Sequence, residues 1–275
     1  RDKVDKMLII KSLIAQFIIA FLLVKFPLGQ QVVKVVSDFV TNVLNYGFQG
    51  VSFVFGPLAD GTVGSIFAIS VLANIVFIAA LVAALYYLGV INFIVSIIGG
   101  AIQKVFGTSR VESFVAVANM FLGQTESPIL VSKYLHAMTR SELLLVLVSG
   151  MGSMSATVLM GYVGMGIPMQ YLLIAGALVP LSSIIVSKIL IPETNKEATV
   201  KDVEMDRKGG HTNIMSAVSE GATNGMQMAL GIGASLIAIT GLVALVNGAL
   251  GLIGLSLQQI LSYLFSPLAL LMGID

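Results

Sequence analysis

The chain has 275 residues, of which 57% are hydrophobic and only 11% are charged, and its mean hydropathy is +0.98. A soluble domain carries about 25% charged residues, so this apolar excess cannot fit into one soluble core and predicts an integral membrane protein. The net charge of +1 argues against nucleic-acid binding, and the absence of cysteine excludes disulfides, thiolate metal sites and a cysteine nucleophile.

The first membrane span is predicted over residues 8–26, because a bilayer core needs about 20 apolar residues per helix. Arg1, Lys3 and Lys6 precede this run. They predict that the N-terminal side is cytoplasmic, since basic residues favour that side. The run is too long for the apolar part of a signal peptide, and further spans follow it.

The next segment, residues 30–46, has a different pattern. Lys34, Asp38 and Asn42 recur at every fourth residue among apolar residues. This spacing places one polar stripe along the helix. The pattern predicts an amphipathic helix at the membrane interface, followed by a glycine–proline loop at 56–57.

A second span is predicted over residues 65–88 and returns to the cytoplasmic side. A glycine-broken apolar segment follows over residues 91–105. Thr108 or Ser109 is then expected to cap a new helix with Glu112 in its first turn. A hydroxyl oxygen accepts the free N–H groups at a helix start, and a carboxylate is favoured at the same end.

Residues 111–138 are predicted to form a re-entrant hairpin with its tip at residues 123–128. Each apolar half is too short to cross the bilayer. The flanking residues Arg110, Lys133 and Arg140 all lie in the cytoplasm only if the chain enters and leaves on one side. Irregular backbone at membrane depth is tolerated inside protein or beside a water-filled cavity. The alternative interpretation is a solvated cytoplasmic loop that joins two helices.

Small residues crowd the span predicted over residues 143–164, among them Ser149, Gly150, Gly152 and Ser153. Two interpretations stay open. The small residues permit close helix packing, or they mark a broken helix whose unwound carbonyl groups face a binding site.

The remainder of the chain is divided by one polar linker over residues 192–211, whose basic residues fit the cytoplasm. Apolar segments lie on both sides of this linker. They are predicted over residues 171–191, 226–253 and 260–274, and a short segment over 216–224 leads into the second of them.

The tip residues Gln124, Thr125 and Glu126 present an amide, a hydroxyl and a carboxylate. A carboxylate at the bilayer centre costs about 2.5–3.5 kcal/mol on insertion scales, so Glu126 needs a polar partner there. This set of donors and acceptors suits a small polar ligand such as the edge of a nucleobase. If the segment is a cytoplasmic loop, Glu126 is simply solvated.

Asn119 lies about one helical turn before the tip. Its carbonyl oxygen could join hydroxyl and backbone oxygens around a hard cation. Ser153 is a candidate partner from the broken helix. The alternative for both residues is an ordinary hydrogen bond between helices.

These residues resemble the concentrative nucleoside transporter family. The motif Gly-Gln-Thr-Glu-Ser-Pro over residues 123–128, preceded by Ala118 and Asn119, is similar to the first hairpin motif of that family. Its Thr-Glu-Ser-Pro form is closer to the sodium-linked bacterial type than to the proton-linked type. Further similar segments cover nearly the whole chain and lie at residues 87–89, 107–113, 138–142, 161–162, 192–194 and 265–270.

By motif position, the resemblance implies that Gln124, Thr125 and Glu126 contact the nucleobase and that Val158 packs near it. The resemblance also implies a sodium site. Its ligands would be Asn119, Leu122, Ser153 and Met154, with Leu122 and Met154 acting through their backbone carbonyls.

The resemblance further implies an all-helical, multi-pass homotrimer in the bacterial inner membrane with an elevator-like transport domain. We then expect scaffold and interfacial helices over residues 1–107 and a part of the transport domain over 108–191. A linker with an interfacial helix is expected over 192–225, and a scaffold helix with the start of a second half over 226–275. The family's Asn-Glu-Phe motif is not in the sequence, so we expect a partial chain with about half of a nucleoside site.

The sequence therefore predicts an importer of nucleosides coupled to sodium, in contact with membrane lipid. Proton coupling through Glu126 is the alternative. An intramembrane enzyme with Glu126 as acid or base is a rival from another class, but no histidine, lysine or metal set accompanies that carboxylate. A channel is the other rival, and accumulation of substrate against its gradient would exclude it.

Overall fold

The structure is a computed structural model that describes residues 4–59, 66–122, 131–164, 166–195, 199 and 211–273. The predicted tip residues Gln124, Thr125 and Glu126 lie outside the described residues. Within the described ranges all regular structure is helical and no β-strand occurs. The predicted helical fold class is therefore confirmed.

Ten α-helices occur in the described part of the chain. They are α1 (Lys6–Lys25), α2 (Pro27–Phe55), α3 (Ala73–Tyr87), α4 (Val90–Phe106), α5 (Arg110–Ala118), α6 (Arg140–Gly152), α7 (Ala156–Gly164), α8 (Met169–Leu190), α9 (Ile214–Gly251) and α10 (Leu257–Leu271). A π-helical turn over Ala68–Leu72 leads into α3, and 3₁₀ turns cover Gly56–Leu58 and Ser132–Ala137.

The chain forms two compact units, Arg1–Gln227 and Met228–Asp275. In the first unit α5 packs against α4, α6 and α8, and α3 packs against α2, α4 and α7. In the second unit a turn separates the end of α9 from α10. There the Asn247 side chain accepts a hydrogen bond from Leu257 N at 2.8 Å and donates one to Gln258 Oε1 at 2.9 Å.

Five helical segments of the described chain are long and apolar enough to cross a membrane, judged by length and composition. They are Lys6–Lys25, Ala68–Tyr87, Arg140–Leu159, Met169–Leu190 and Ile214–Gly251. Each overlaps a span that the sequence predicts. The predicted segments over 216–224 and 226–253 belong to one continuous helix, α9.

The predicted amphipathic helix is part of α2, which is longer than the predicted segment. Its buried residues follow helical spacing: Val33, Ser37, Leu44, Gly47 and Val51. The polar residues Lys34, Asp38 and Asn42 are all exposed. The polar stripe thus lies on the exposed side of α2 together with apolar residues such as Val35 and Phe39, and a position at the membrane interface stays a prediction.

The predicted glycine break over residues 91–105 is wrong, because α4 runs without interruption. Glycine costs about 1 kcal/mol in a helix relative to alanine, but here it permits close packing. A Cβ added at Gly99 would lie 3.2 Å from Phe114 Cδ2 and 3.4 Å from Phe114 Cα. Burial against α5 therefore offsets the poor helix propensity.

A similar close approach joins α9 to α3. A Cβ added at Gly221 would lie 2.6 Å from Ala83 Cβ and 2.8 Å from the Ala79 carbonyl oxygen. One added at Gly225 would lie 2.7 Å from Ala79 Cβ. Small residues four positions apart allow helix backbones in a membrane to approach closely and gain dispersion contacts.

The double substitution Gly221→Ala and Gly225→Ala is expected to destabilise the protein. The new Cβ atoms meet backbone and alanine atoms, and overpacking costs about 1–3 kcal/mol at such a site. Alanine recovers at most about 1 kcal/mol per site through helix propensity. The measurement is the melting temperature of the purified protein in detergent.

Gly231→Ala is the matched control in the same helix, because no atom of the described residues lies within 4 Å of a Cβ at that position. Its melting temperature should equal or exceed that of the wild type. Equal melting temperatures for the double variant and this control would contradict the packing argument.

Candidate functional site

The first half of the predicted hairpin begins at a well-formed helix start. Ser109 Oγ accepts a hydrogen bond from Glu112 N at 3.2 Å, and Glu112 Oε2 accepts one from Ser109 N at 3.0 Å. Ser109 is therefore the cap, and Thr108 instead shares a 2.7 Å hydrogen bond with Ser113 Oγ. Every residue of α5 from Val111 onward is buried, so this short helix lies inside protein on all sides.

Asn119 ends α5 and is fully buried. Its Nδ2 donates to Ser149 Oγ at 2.7 Å, and Ser149 Oγ donates to the Val146 carbonyl at 3.2 Å. Asn119 Oδ1 has no hydrogen-bond partner among the described residues. Leaving a buried acceptor without a partner costs about 1–3 kcal/mol. The Ser149 hydrogen bond thus orients the amide so that its carbonyl oxygen is the atom without a partner among the described residues.

The span over residues 143–164 is a broken helix, as one of the two sequence interpretations predicts. Helix α6 ends at Gly152, Ser153 is extended with φ −107° and ψ 161°, and α7 begins at Ala156. The Ser153 hydroxyl donates to the Gly150 carbonyl at 3.3 Å. Ser155 Oγ shares a 2.7 Å hydrogen bond with Thr157 Oγ1.

The break lies beside the turn that follows Asn119. Ser149, which binds Asn119, precedes Ser153 by about one helical turn. On the other side of the break, Ala156 N donates to the Phe121 carbonyl at 3.2 Å. These two hydrogen bonds bracket the unwound residues, so the end of α5 and the broken helix face each other.

The structure brings together the segments that contain the predicted cation ligands. Asn119 and Leu122 are buried, and Ser153 and Met154 are half-buried at the break. Met154 packs against the apolar cluster that contains Leu159 and Met169. Val158, the predicted nucleobase neighbour, is half-buried in the first turns of α7.

The donor set suits a hard cation. Amide, hydroxyl and backbone carbonyl groups are neutral oxygen ligands, which hard cations accept. Among the described residues no group of three histidine, aspartate or glutamate side chains could hold a metal ion. The amide, hydroxyl and carbonyl oxygens of these residues therefore fit a hard cation.

Sequence reasoning missed the role of Ser149, which was noted there only as one of several small residues. It also missed Lys188, a buried lysine in the last turn of α8. The Lys188 ammonium forms an ion pair with Glu112 and donates to Ser141 Oγ at 2.8 Å. A charged residue within an otherwise apolar span is the signal that could have revealed it.

Glu112 lies outside the five candidate spans. Burial raises the pKa of its carboxyl group above the ordinary value, and the neighbouring Lys188 ammonium opposes that shift. The ion pair with Lys188 is the largest of the interactions that oppose this rise in the pKa.

Three family models match the chain. They are described as the N-terminus of a Na+ dependent nucleoside transporter at residues 1–58, as nucleoside recognition at 68–169, and as the C-terminus of a Na+ dependent nucleoside transporter at 171–275. Together these matches extend over almost all of the sequence.

Two curated relatives and one solved structure are similar over nearly the whole chain. An uncharacterized transporter of Haemophilus influenzae is 42% identical, with 97% of this chain and 66% of the relative covered. A nucleoside permease of Helicobacter pylori, NupC, is 38% identical over 97% of this chain and 66% of its own length. A structure of CNTnw in an inward-facing substrate-bound state matches with a TM-score of 0.94 and 39% identity, over 100% of this chain and 68% of that one.

The chain spans about two thirds of the length of these relatives. The sequence identity, the matched family models and the shared fold agree with one another. The chain belongs to the Na+ dependent nucleoside transporter family, whose members are transporters and not enzymes.

Proposed function

We propose that the protein imports nucleosides across the bacterial inner membrane and couples this import to the entry of sodium. The observation that carries the coupling is the buried Asn119 Oδ1 without a hydrogen-bond partner among the described residues, beside the break at residues 153–155. A sodium ion would supply the positive charge that this oxygen lacks. The proposed ligands are Asn119, Leu122, Ser153 and Met154. The family models' description as Na+ dependent supports sodium as the coupling ion.

The nucleoside is proposed to bind at the hairpin tip through Gln124, Thr125 and Glu126, with Val158 nearby. One contact supports the re-entrant path of the segment that carries this tip. The Lys188 ammonium contacts both Glu112 and Ser141. The first turns of α5 and α6 therefore lie beside the same end of α8, so the segment between them begins and ends on one side.

A homotrimer with an elevator-like movement is proposed from the family resemblance. In this proposal the part over residues 108–191 carries the substrate, and the helices over 1–107 belong mainly to the scaffold. The similarity to CNTnw in an inward-facing substrate-bound state supports an alternating-access cycle. Membrane lipid would cover the large exposed apolar side chains, of which Phe53, Met151 and Leu252 are examples.

Labelled uridine and adenosine should accumulate in proteoliposomes when sodium is higher outside than inside. The protein used is the complete one, as it occurs in the cell. Replacement of sodium by choline at constant pH should abolish accumulation. Uptake that persists in choline and follows an inward proton gradient would contradict sodium coupling and favour the proton-coupled alternative through Glu126. Failure under both gradients would contradict nucleoside import itself.

Asn119→Ala is expected to raise the sodium concentration for half-maximal uridine uptake by about tenfold or more. Loss of one ligand oxygen worth about 1.4 kcal/mol corresponds to a factor of ten in affinity. The matched control is Asn92→Ala in α4, since Asn92 is also buried and both of its amide atoms lack a partner among the described residues. An equal shift in both variants would indicate general destabilisation instead of ligand loss.

Glu126→Gln is expected to abolish detectable nucleoside binding while the protein stays folded. The substitution keeps the side-chain shape and removes the charged acceptor that the proposed base contact uses. Isothermal calorimetry with uridine gives the binding constant, and size-exclusion chromatography checks folding. Wild-type affinity in this variant would show that the carboxylate does not contact the base.

A further inference from the structure

A buried charged cluster lies at the base of the predicted hairpin and has no role in the proposed binding site. It consists of Glu112, Ser141 and Lys188, and is called here the hairpin-base cluster; the fully buried Glu142 lies close to Glu112. Lys188 is 4% exposed and Glu112 is 1% exposed. Burying an ion pair is expensive because both charges lose water, so packing energy alone does not account for this pair.

The hairpin-base cluster joins three helix ends. Glu112 is in the first turn of α5, Ser141 is in the first turn of α6, and Lys188 is in the last turn of α8. Further hydrogen bonds fix both partners of the lysine. Glu112 Oε2 accepts from Ser109 N at 3.0 Å, and Ser141 Oγ donates to the Ile191 carbonyl at 2.8 Å.

A second link joins α5 to α6 at the other end, where Asn119 Nδ2 donates to Ser149 Oγ at 2.7 Å. Along α5, Glu112 and Asn119 are seven residues apart, which is about 10 Å at 1.5 Å per residue. Along α6, Ser141 and Ser149 are eight residues apart, which is about 12 Å by the same rise. The two packed helices are therefore connected at two levels about two turns apart.

Two connections at different levels fix the axial register of one helix against the other. A slip of one residue in a helix moves a side chain by about 1.5 Å and rotates it by about 100°. Such a movement would shift Asn119 relative to the break at residues 153–155, beside which the contacts of Asn119 with Ser149 and of Phe121 with Ala156 hold the end of α5. Cation binding requires ligand oxygens at closely defined distances, so the register at the base determines whether the cation site forms.

We infer that Lys188 is a positioning residue for the cation site, acting through the register of α5 and α6. The inference rests on the proposed sodium site at Asn119. Lys188 touches neither the cation nor the nucleoside. Its ammonium binds one residue of α5 and one of α6. It therefore affects the site by positioning these helices and not by its charge.

The test uses the complete protein in detergent and the double variant Glu112→Gln with Lys188→Met. This variant removes both charges together. It keeps an acceptor for Ser109 N, because the side-chain oxygen of glutamine also serves in a capping box. Replacing both partners of a buried ion pair by neutral groups preserves folding far better than removing one partner. Ser182→Ala is the matched control, because Ser182 also lies in α8 and accepts a hydrogen bond from Gln16 at 2.6 Å.

Uridine binding is measured by calorimetry over a range of sodium concentrations, together with the melting temperature. In the double variant the half-saturating sodium concentration should rise about tenfold, as for partners that orient metal ligands. Uridine affinity at saturating sodium should stay at the wild-type value. The single variant Lys188→Arg keeps the charge and hydrogen-bond donors. It should therefore keep most of the wild-type sodium affinity. The Ser182→Ala control should show the wild-type sodium requirement.

A folded double variant with the wild-type sodium requirement would overturn the inference and leave Lys188 a structural role only. An equal loss of uridine affinity at saturating sodium would also overturn it, because that result indicates general distortion. If the double variant does not fold, the single variant Ser141→Ala tests the inference instead. It keeps the ion pair and removes the link to α6, so an unchanged sodium requirement in that variant would overturn the inference.

The wild-type protein distinguishes failure of this inference from failure of the proposed function. If wild-type uridine binding does not depend on sodium, the proposed coupling is wrong, and the inference about Lys188 is overturned with it. If the wild type depends on sodium and the variants do not differ from it, only the inference about Lys188 is wrong.

Discussion

The hydrogen bond from Asn119 Nδ2 to Ser149 Oγ is the interaction on which the candidate site depends. It joins the end of a fully buried short helix to the last complete turn before a helix break. It also determines which atom of the amide remains without a partner among the described residues. Were the amide reversed, an N–H group in place of the carbonyl oxygen would lack a partner among the described residues, and an N–H group repels a cation. A single serine hydroxyl thus decides the sign of the polarity offered to a ligand.

The packing around this interaction explains how a short helix of nine residues can persist at that place. An isolated helix of this length is unstable in water. Helix α5 is stabilised by its capping box, by apolar contacts on all sides and by the close approach of α4 at Gly99. Its stability is therefore tertiary in origin. The same packing leaves little room for the helix to rotate. This fixed orientation is what keeps Asn119 in position.

The sequence predicted the features that depend on local pattern. Long apolar runs located the five spans, and the Ser109–Glu112 pair located the start of α5. Features that depend on partners distant in sequence were not predictable. Gly99 is interpreted as a helix breaker unless Phe114 is known to lie against it. Lys188 has no evident partner in the sequence, because Glu112 lies 76 residues earlier. The Ser149 contact required the same three-dimensional information.

The neutral character of the ligands proposed around Asn119 has a consequence for protonation. Amide, hydroxyl and peptide carbonyl groups neither gain nor lose protons between about pH 5 and 8. A cation held by Asn119, Ser153 and backbone oxygens does not compete with protons for its own ligands. Any dependence of this protein on pH would therefore originate in titratable groups outside these ligands, such as the carboxyl group of Glu112 that pairs with Lys188.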